Sequence, residues 1–153
     1  MTRRELREHI FKLLFALEFC GQDDWEEQVD LYFQQLPDEE IVSPPMFAND
    51  EERAYIREKA MQTAKRFREL DERIDEVSRG WRTGRMSRTD LTILRLALYE
   101  MDYDDEIPVG VAINEAVELA KQYGNDASKA FVNGILAKLT KSRDVKEGSG
   151  EAE

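Results

Sequence analysis

His9 and Cys20 are the only histidine and the only cysteine in this 153-residue chain, so few side chains could carry nucleophilic or metal chemistry. A zinc site would need carboxylates as its remaining ligands, which zinc disfavours. His9 lies within a helical pattern, and we expect it on the helix surface rather than as a catalytic base. Cys20 is expected to be a small buried residue. These residues predict no metal site, no cofactor and no catalytic group.

Acidic residues are the other candidates, because paired carboxylates can act as acid and base when their environments separate their pKa values. They concentrate in loops and in the C-terminal tail, where the sequence offers no apolar pocket. The sequence also lacks a Walker-type glycine loop and a GxGxxG motif after a strand. We therefore interpret the acidic clusters as solvated loops and do not expect an enzyme.

Composition and charge limit the class of protein further. One cysteine excludes an internal disulfide and fits a reducing cytoplasm, and no apolar run approaches the roughly 20 residues that span a bilayer. The net charge of −11 would repel nucleic acid overall, although Arg3, Arg4 and Arg7 form a local basic group. Any RNA site must therefore be local, and we expect weak affinity from this chain alone.

Apolar residues recur at intervals of three and four, which predicts an all-α fold of six to seven helices. One long helix is expected over about 50–79, after a proline-containing loop at 36–49. A break at Gly80–Gly84 would divide a single domain, residues 1–143, into an N-terminal part of about 1–80 and a C-terminal part of about 85–143. Residues 144–153 lack an apolar pattern and are expected to form a disordered acidic tail.

The first predicted helix, about residues 3–20, is apolar on two sides. One side carries a leucine-rich stripe, and nearly opposite it lie Phe11, Phe15 and Phe19. Such a helix is either central in a bundle or presents one side to a partner. The sequence leaves both interpretations open.

Two helices are predicted to meet at Tyr123–Asp126. Gly124 is a candidate C-cap, and Asn125 or Asp126 is a candidate for the next N-cap. Gly134 lies within the second helix, where glycine costs about 1 kcal/mol relative to alanine. The absence of a side chain is therefore expected to be useful there.

Four ordered blocks of the chain resemble the NusB family of bacterial transcription antitermination factors. They are RRELREHIFKLLFALEF (3–19), LRLALYEM (94–101), VAINEAVELAK (111–121) and FVNGIL (131–136). The resemblance extends from about Arg3 to about Leu139, nearly the whole chain. It implies a NusB-like helical bundle of two packed helical subdomains.

The resemblance also implies a function and a site. Family members bind boxA-type single-stranded RNA together with NusE, a ribosomal protein of the small subunit, and help the transcription elongation complex resist termination, notably in ribosomal RNA operons. The positions that match the family's RNA-binding segments are Arg3, Arg4, Arg7, Lys121, Tyr123, Asn125, Ser128 and Lys129. Two departures are Glu5, where some relatives have a base, and Ala127, where others have an acid. Glu5 should weaken binding and Ala127 should help it.

Phe15 and Asp90 match the family's contact with NusE. Phe15 would be an apolar anchor and Asp90 a charge for a basic protein, although Asp90 could equally be a first-turn helix charge after the cap Ser87.

The alternative function is a self-associating helical accessory module, related to the NusB-like domain of RNA cytosine methyltransferases. No methyltransferase domain is expected here. Some family members form homodimers, so that assembly is kept as a second alternative.

Overall fold

A computed structural model describes the backbone of residues 1–35, 49–80 and 82–151, and the side chains of those ranges as far as residue 143. These ranges contain seven α-helices and no strand, which confirms the all-α prediction. The helices are α1 (Arg3–Glu18), α2 (Trp25–Gln35), α3 (Asp50–Lys65), α4 (Phe67–Val77), α5 (Arg88–Tyr103), α6 (Val109–Tyr123) and α7 (Ser128–Glu151). Most of the predicted loop at 36–49, and Trp81 in the predicted break, lie outside the described residues.

The chain forms two compact units, Met1–Arg66 and Phe67–Glu153. The prediction of one long helix over 50–79 is wrong, because α3 ends at Lys65 and α4 begins at Phe67. The division between units also falls here rather than at Gly80–Gly84. The physical reason is packing: α4 contacts α5 and α7, so it belongs with the second unit.

In the first unit, α1 packs against α2 and α3. Ile10, Leu13 and Leu17 of its leucine-rich stripe are fully buried. Ile56 and Ala60 of α3 are fully buried as well. Thr2 caps α1 by accepting a hydrogen bond from the Glu5 N–H through its hydroxyl oxygen (3.1 Å). Asn49 and Glu52 form a capping box at the start of α3. Both helix starts are therefore encoded by neighbouring residues.

His9 is fully buried, so its predicted surface position is wrong. Its Nδ1 lies 2.8 Å from the hydroxyl oxygen of Tyr32 in α2, and its Nε2 has no hydrogen-bond partner among the described residues. Burial lowers the pKa of His9 from 6.5 to about 4. The ring is therefore a neutral core group. Cys20, predicted to be buried, is half-buried.

In the second unit, α5 is the central helix and contacts α4, α6 and α7. Arg95 is a buried cation in it: its Nε and Nη2 each donate to a carboxylate oxygen of Asp71 in α4, both at 2.7 Å. The guanidinium also lies 4.2 Å from the centre of the Phe67 ring. This bidentate, stacked arrangement joins α4 to α5 and explains why the second unit begins at Phe67.

The last helix is longer than predicted. Its backbone is helical through Glu151, whereas we expected disorder from residue 144. Helix propagation adds one hydrogen bond for each residue fixed, so a helix that has already formed can extend without an apolar stripe. Arg143 anchors it within the second unit by donating from Nη1 to the carbonyl oxygen of Met101 (2.6 Å). Among the described residues, no helix is long and apolar enough to cross a membrane.

Candidate nucleic-acid interface

The junction between α6 and α7 is closed by backbone and side-chain hydrogen bonds. The Gly124 N–H donates to the Ala120 carbonyl oxygen (3.0 Å) and ends α6. The Asn125 N–H donates to the Ser128 hydroxyl (3.0 Å), and the Ala127 N–H donates to Asn125 Oδ1 (2.9 Å). These bonds hold the backbone and side chain of Asn125 in one orientation.

Ser128 is 1% exposed, and its hydroxyl also donates a hydrogen bond to Asn125 Oδ1 (3.3 Å). Its oxygen therefore interacts within the turn and does not face solvent. The structure places Ser128 behind Asn125, where it positions that residue instead of presenting a group for RNA.

Gly124 is required by close approach rather than by a left-handed backbone. Its φ of −90° is open to any residue. A Cβ added at this position, however, would lie 2.8 Å from the Ala120 carbonyl oxygen and even closer to Ser128. The predicted C-cap at Gly124 is confirmed. Glycine is needed there because a side chain would clash with the Ala120 carbonyl oxygen and with Ser128.

Five polar side chains around this turn are exposed, and Tyr123 is half-buried; the five are Lys121, Gln122, Asn125, Asp126 and Lys129. Lys121 Nζ lies 3.1 Å from Glu118 Oε1, an exposed pair in which the cation keeps most of its access to solvent. Tyr123 accepts a hydrogen bond from Gln122 Nε2 (3.3 Å). The junction thus presents cations, amides and an aromatic ring, the side-chain types that bind phosphates and bases of single-stranded RNA. It also presents the exposed carboxylate of Asp126, which would repel phosphate.

The arginines predicted for RNA binding lie in the first two turns of α1, in the first unit. Arg3 and Arg4 are exposed, whereas Arg7 is only 8% exposed. The buried Arg7 is therefore better suited to a structural role in the free chain than the exposed Arg3 and Arg4.

The phenylalanine side of α1 changes from buried to exposed along the helix. Phe11 is 4% exposed, Phe15 is half-buried and Phe19 is 66% exposed. The rings of Phe15 and Phe19 meet edge to face with centres 5.5 Å apart. The part of this side at Phe11 is therefore core and the part at Phe19 is exposed, and the use of the exposed part as a partner surface stays a prediction.

Asp90 and Asn125 line one cavity of about 300 Å³ in the second unit. Asp90 is 7% exposed, and its N–H donates to the Ser87 hydroxyl (3.0 Å) at the start of α5. Its Oδ1 is buried and accepts no hydrogen bond from any described residue. Arg85 and Phe131 also line the cavity, and sequence reasoning assigned neither to the site. No local pattern signals them, because the cavity is formed by residues far apart in the chain.

Among the described residues, no group of three or more His, Cys, Asp or Glu side chains could hold a metal ion. The site consists of cations, amides, aromatic rings, the buried carboxylate of Asp90 and the exposed carboxylate of Asp126. Its chemistry is that of binding through charge, hydrogen bonds and stacking.

Solved structures define the class of this helical protein. It superposes on T. maritima NusB with a TM-score of 0.76 at 30% identity, covering 92% of each chain. It also superposes, with a TM-score of 0.71, on a chain in a structure of antitermination factors NusB and NusE in complex with dsRNA. That second match is 20% identical, covers 92% of this chain and 96% of the other, and bears on the fold alone.

The NusB family model matches residues 4–141, and the chain therefore belongs to the NusB family. It is 50% identical over 139 residues to the transcription antitermination protein NusB of Agathobacter rectalis, covering 91% of this chain and 99% of the relative. It is 47% identical over 139 residues to the protein of the same name in Lachnoclostridium phytofermentans, covering 91% and 98%. The resemblance seen in the sequence is confirmed.

Proposed function

We infer that this chain is a transcription antitermination factor that binds boxA-type single-stranded RNA together with NusE. Membership of the NusB family supports this function. The observation that carries it is the α6–α7 junction, where Ser128 holds the exposed Asn125 and where Lys121 and Lys129 are exposed as well. This junction is a preformed polar surface on a chain whose net charge is −11.

The RNA contacts divide by chemistry. Arg3, Arg4, Lys121 and Lys129 are exposed and contact phosphates, while Tyr123 offers a ring for stacking and Asn125 an amide for base edges. Because Asn125 Oδ1 accepts the Ala127 N–H within the turn, its NH₂ group is the part that would donate to a base. Ser128 and Arg7 support these contacts from buried positions.

The partner surface for NusE includes the exposed part of the phenylalanine side of α1. Phe19 and the half-buried Phe15 form a continuous pair of rings that an apolar partner surface can cover. A strongly acidic chain also favours a basic partner, since complementary fields speed association and select against other proteins. Asp90 was predicted to belong to this surface, and it lies in the other compact unit.

The proposed role is regulatory rather than catalytic, in the bacterial cytoplasm and as part of the transcription elongation complex. The acidic net charge and the small size of the junction both favour a protein that acts through partners. A homodimer that covers the RNA-binding residues is the competing assembly. Light scattering with and without NusE separates the homodimer from the heterodimer.

A salt-titrated binding experiment tests the function. The affinity for boxA-like and scrambled RNA is measured for the chain alone and with NusE. We expect NusE to tighten boxA binding by a coupling of about 1–3 kcal/mol, because the two exposed lysines of the junction alone cannot offset the repulsion from the acidic chain. By linkage, the RNA must tighten the NusE complex by the same amount. RNA affinity that NusE leaves unchanged, or equal binding of scrambled RNA, would contradict the proposal.

A further inference from the structure

The connector between α4 and α5 concentrates positive charge in an acidic chain. Residues 78–88 contain four arginines and no acidic residue, whereas the whole chain has a net charge of −11. Arg79, Arg82 and Arg85 are exposed, and the side chains of these three make no hydrogen bond or ion pair with a described residue. Their charges are therefore not neutralised within the part of the chain that the structure describes.

The backbone of this connector is held by bonds that do not involve the guanidinium groups. Gly80 has a left-handed backbone with a φ of +90°, which glycine adopts without strain. The Thr83 N–H and hydroxyl donate to the two carboxylate oxygens of Asp75 in α4 (2.7 and 3.1 Å). The Arg85 N–H donates to the Arg82 carbonyl oxygen (2.8 Å). The fold therefore presents the arginines on a preformed backbone.

The neighbours of the three arginines favour a polyanion over a protein surface. Met86, the one apolar side chain described within 78–88, is buried. The remaining exposed residues described there are polar or lack a side chain: Gly80, Gly84, Ser87 and Arg88. Protein interfaces have an apolar centre, whereas a phosphate backbone is bound by cations and polar groups alone. A guanidinium also matches the geometry of a phosphate with two parallel hydrogen bonds.

Nearby carboxylates leave this positive charge in place. The Asp75 oxygens accept both hydrogens of Thr83, and Asp90 in the first turn of α5 is buried. Glu76 in α4 is the exposed acid nearest in the sequence. One exposed carboxylate offsets only part of the charge of three exposed arginines.

Arg85 also connects this surface to the α6–α7 junction, because it lines the same cavity as Asn125. Arg79 and Arg82 do not line that cavity and lie earlier in the connector. An RNA strand held at the junction can thus continue past Arg85 along the connector.

We propose that Arg79, Arg82 and Arg85 bind phosphates of the RNA that flanks the boxA element. The inference rests on the proposed function and adds a second RNA segment to it. Guanidinium groups that contact phosphates do not read base edges, so this surface adds affinity without sequence preference. It also offsets part of the repulsion between the RNA and the acidic chain.

The test lengthens the RNA and removes arginine charges. A boxA-like RNA is compared with the same RNA extended at its 5′ or its 3′ end by about ten uridines, a length within the range of single-strand binding sites. A further probe carries that extension with methylphosphonate linkages, which are uncharged. Affinity is measured by fluorescence anisotropy with NusE present over a range of salt concentrations.

The proteins compared are the parent chain, Arg82→Gln and the double variant Arg79→Gln with Arg82→Gln. Glutamine keeps most of the length of the side chain and removes its charge. Arg68→Gln is the matched control, because Arg68 lies at the start of α4 and its side chain is 95% exposed. Circular dichroism and thermal melts should be the same for all four proteins, since each replaced side chain is exposed.

We expect the extension at one end to steepen the slope of log affinity against log salt by about 2 for the parent and the control. Each of three phosphate contacts contributes about 0.7 to this slope for single-stranded RNA. Arg82→Gln should reduce the increment by about 0.7 and the double variant by about 1.4. The methylphosphonate extension should add no increment. Affinity for the unextended RNA should change by less than about twofold in Arg82→Gln, because its single boxA-length strand ends before the connector.

Three results would overturn the inference. In the first, neither extension changes the salt slope; loss of NusE affinity by the double variant without RNA would then assign the arginines to a protein partner. In the second, the double variant and the parent show the same increment, so the added phosphates are bound elsewhere. In the third, the methylphosphonate extension tightens binding as much as the charged one, so bases are bound instead. Each leaves the proposed function intact, because that function is tested by discrimination between unextended boxA-like and scrambled RNA.

Discussion

Gly124 and Ser128 approach so closely that a Cβ added to Gly124 would lie 2.4 Å from the Ser128 hydroxyl oxygen. The same hydroxyl accepts the Asn125 N–H, so the space left by the missing side chain lets Ser128 hold Asn125. The α6–α7 junction therefore depends on a residue that has no side chain of its own.

Gly124→Ala should destabilise the chain by about 1–3 kcal/mol, because the Ser128 side chain and the Ala120 carbonyl must both shift to admit a methyl group. It should also weaken RNA binding, since Asn125 loses its fixed orientation. Gly134→Ala is the matched control. The sequence led us to expect that the missing side chain of Gly134 is useful, but among the described residues nothing lies within 4 Å of its added Cβ. Alanine should therefore stabilise α7 by up to about 1 kcal/mol. Thermal melts and RNA binding of both variants check this, and equal melting of Gly124→Ala and the parent would contradict it.

The arginines at the start of α1 should separate into contact and structural residues. Arg3→Glu should leave melting nearly unchanged and reduce the slope of log affinity against log salt by about 0.7 for single-stranded RNA, since Arg3 is exposed. Arg7→Glu should lower the melting temperature as well, because a carboxylate would replace an 8% exposed guanidinium. The measurement is a salt titration beside circular dichroism. An unchanged salt slope for Arg3→Glu would remove Arg3 from the RNA site.

The effect of placing a charged residue on the phenylalanine side of α1 should depend on how deeply the replaced phenylalanine is buried. Phe19→Asp should fold normally and lose affinity for NusE, because Phe19 is 66% exposed. Phe11→Asp should lose several kcal/mol or unfold, since it places an unpaired charge in the core. Phe15→Asp is expected to stay folded with lower stability and to lose the heterodimer. A pull-down with circular dichroism separates these outcomes, and normal NusE binding by both Phe15→Asp and Phe19→Asp would refute the partner surface.

Stability should fall in mildly acidic solution through His9. The pKa of His9 is about 4 in the folded chain, and its ordinary value of 6.5 applies to the unfolded chain. Between these pH values the unfolded chain therefore binds more protons than the folded chain. The contribution of the neutral His9 ring to the free energy of unfolding is therefore fully present above pH 6.5. As the pH falls towards 4, about 3 kcal/mol of this free energy is lost. Urea unfolding at several pH values, compared with the non-titrating His9→Gln, measures this loss. Identical pH profiles for the two proteins would exclude it.

Local signals determined much of the fold. Spacing of apolar residues by three and four predicts α1, α5, α6 and α7, and the caps at Ser87 and Gly124 mark helix ends through neighbours in the chain. No local signal in the sequence marks the boundary at Arg66, because the apolar stripe that predicted one long helix over 50–79 continues through it. Packing of α4 against α5 and α7 decides it instead.

The same distinction applies to the site. The family resemblance located the junction residues and the arginines of α1, because those segments are continuous in the chain. Burial of Ser128, of Arg7 and above all of His9 against Tyr32 was decided by tertiary contacts, since hydropathy alone assigns polar residues to the surface. The cavity shared by Asp90 and Asn125 exists only because α7 packs on α5 and brings distant residues together. Periodicity and capping are properties of near neighbours, whereas a cavity and an unpartnered carboxylate arise from packing between elements that the sequence separates.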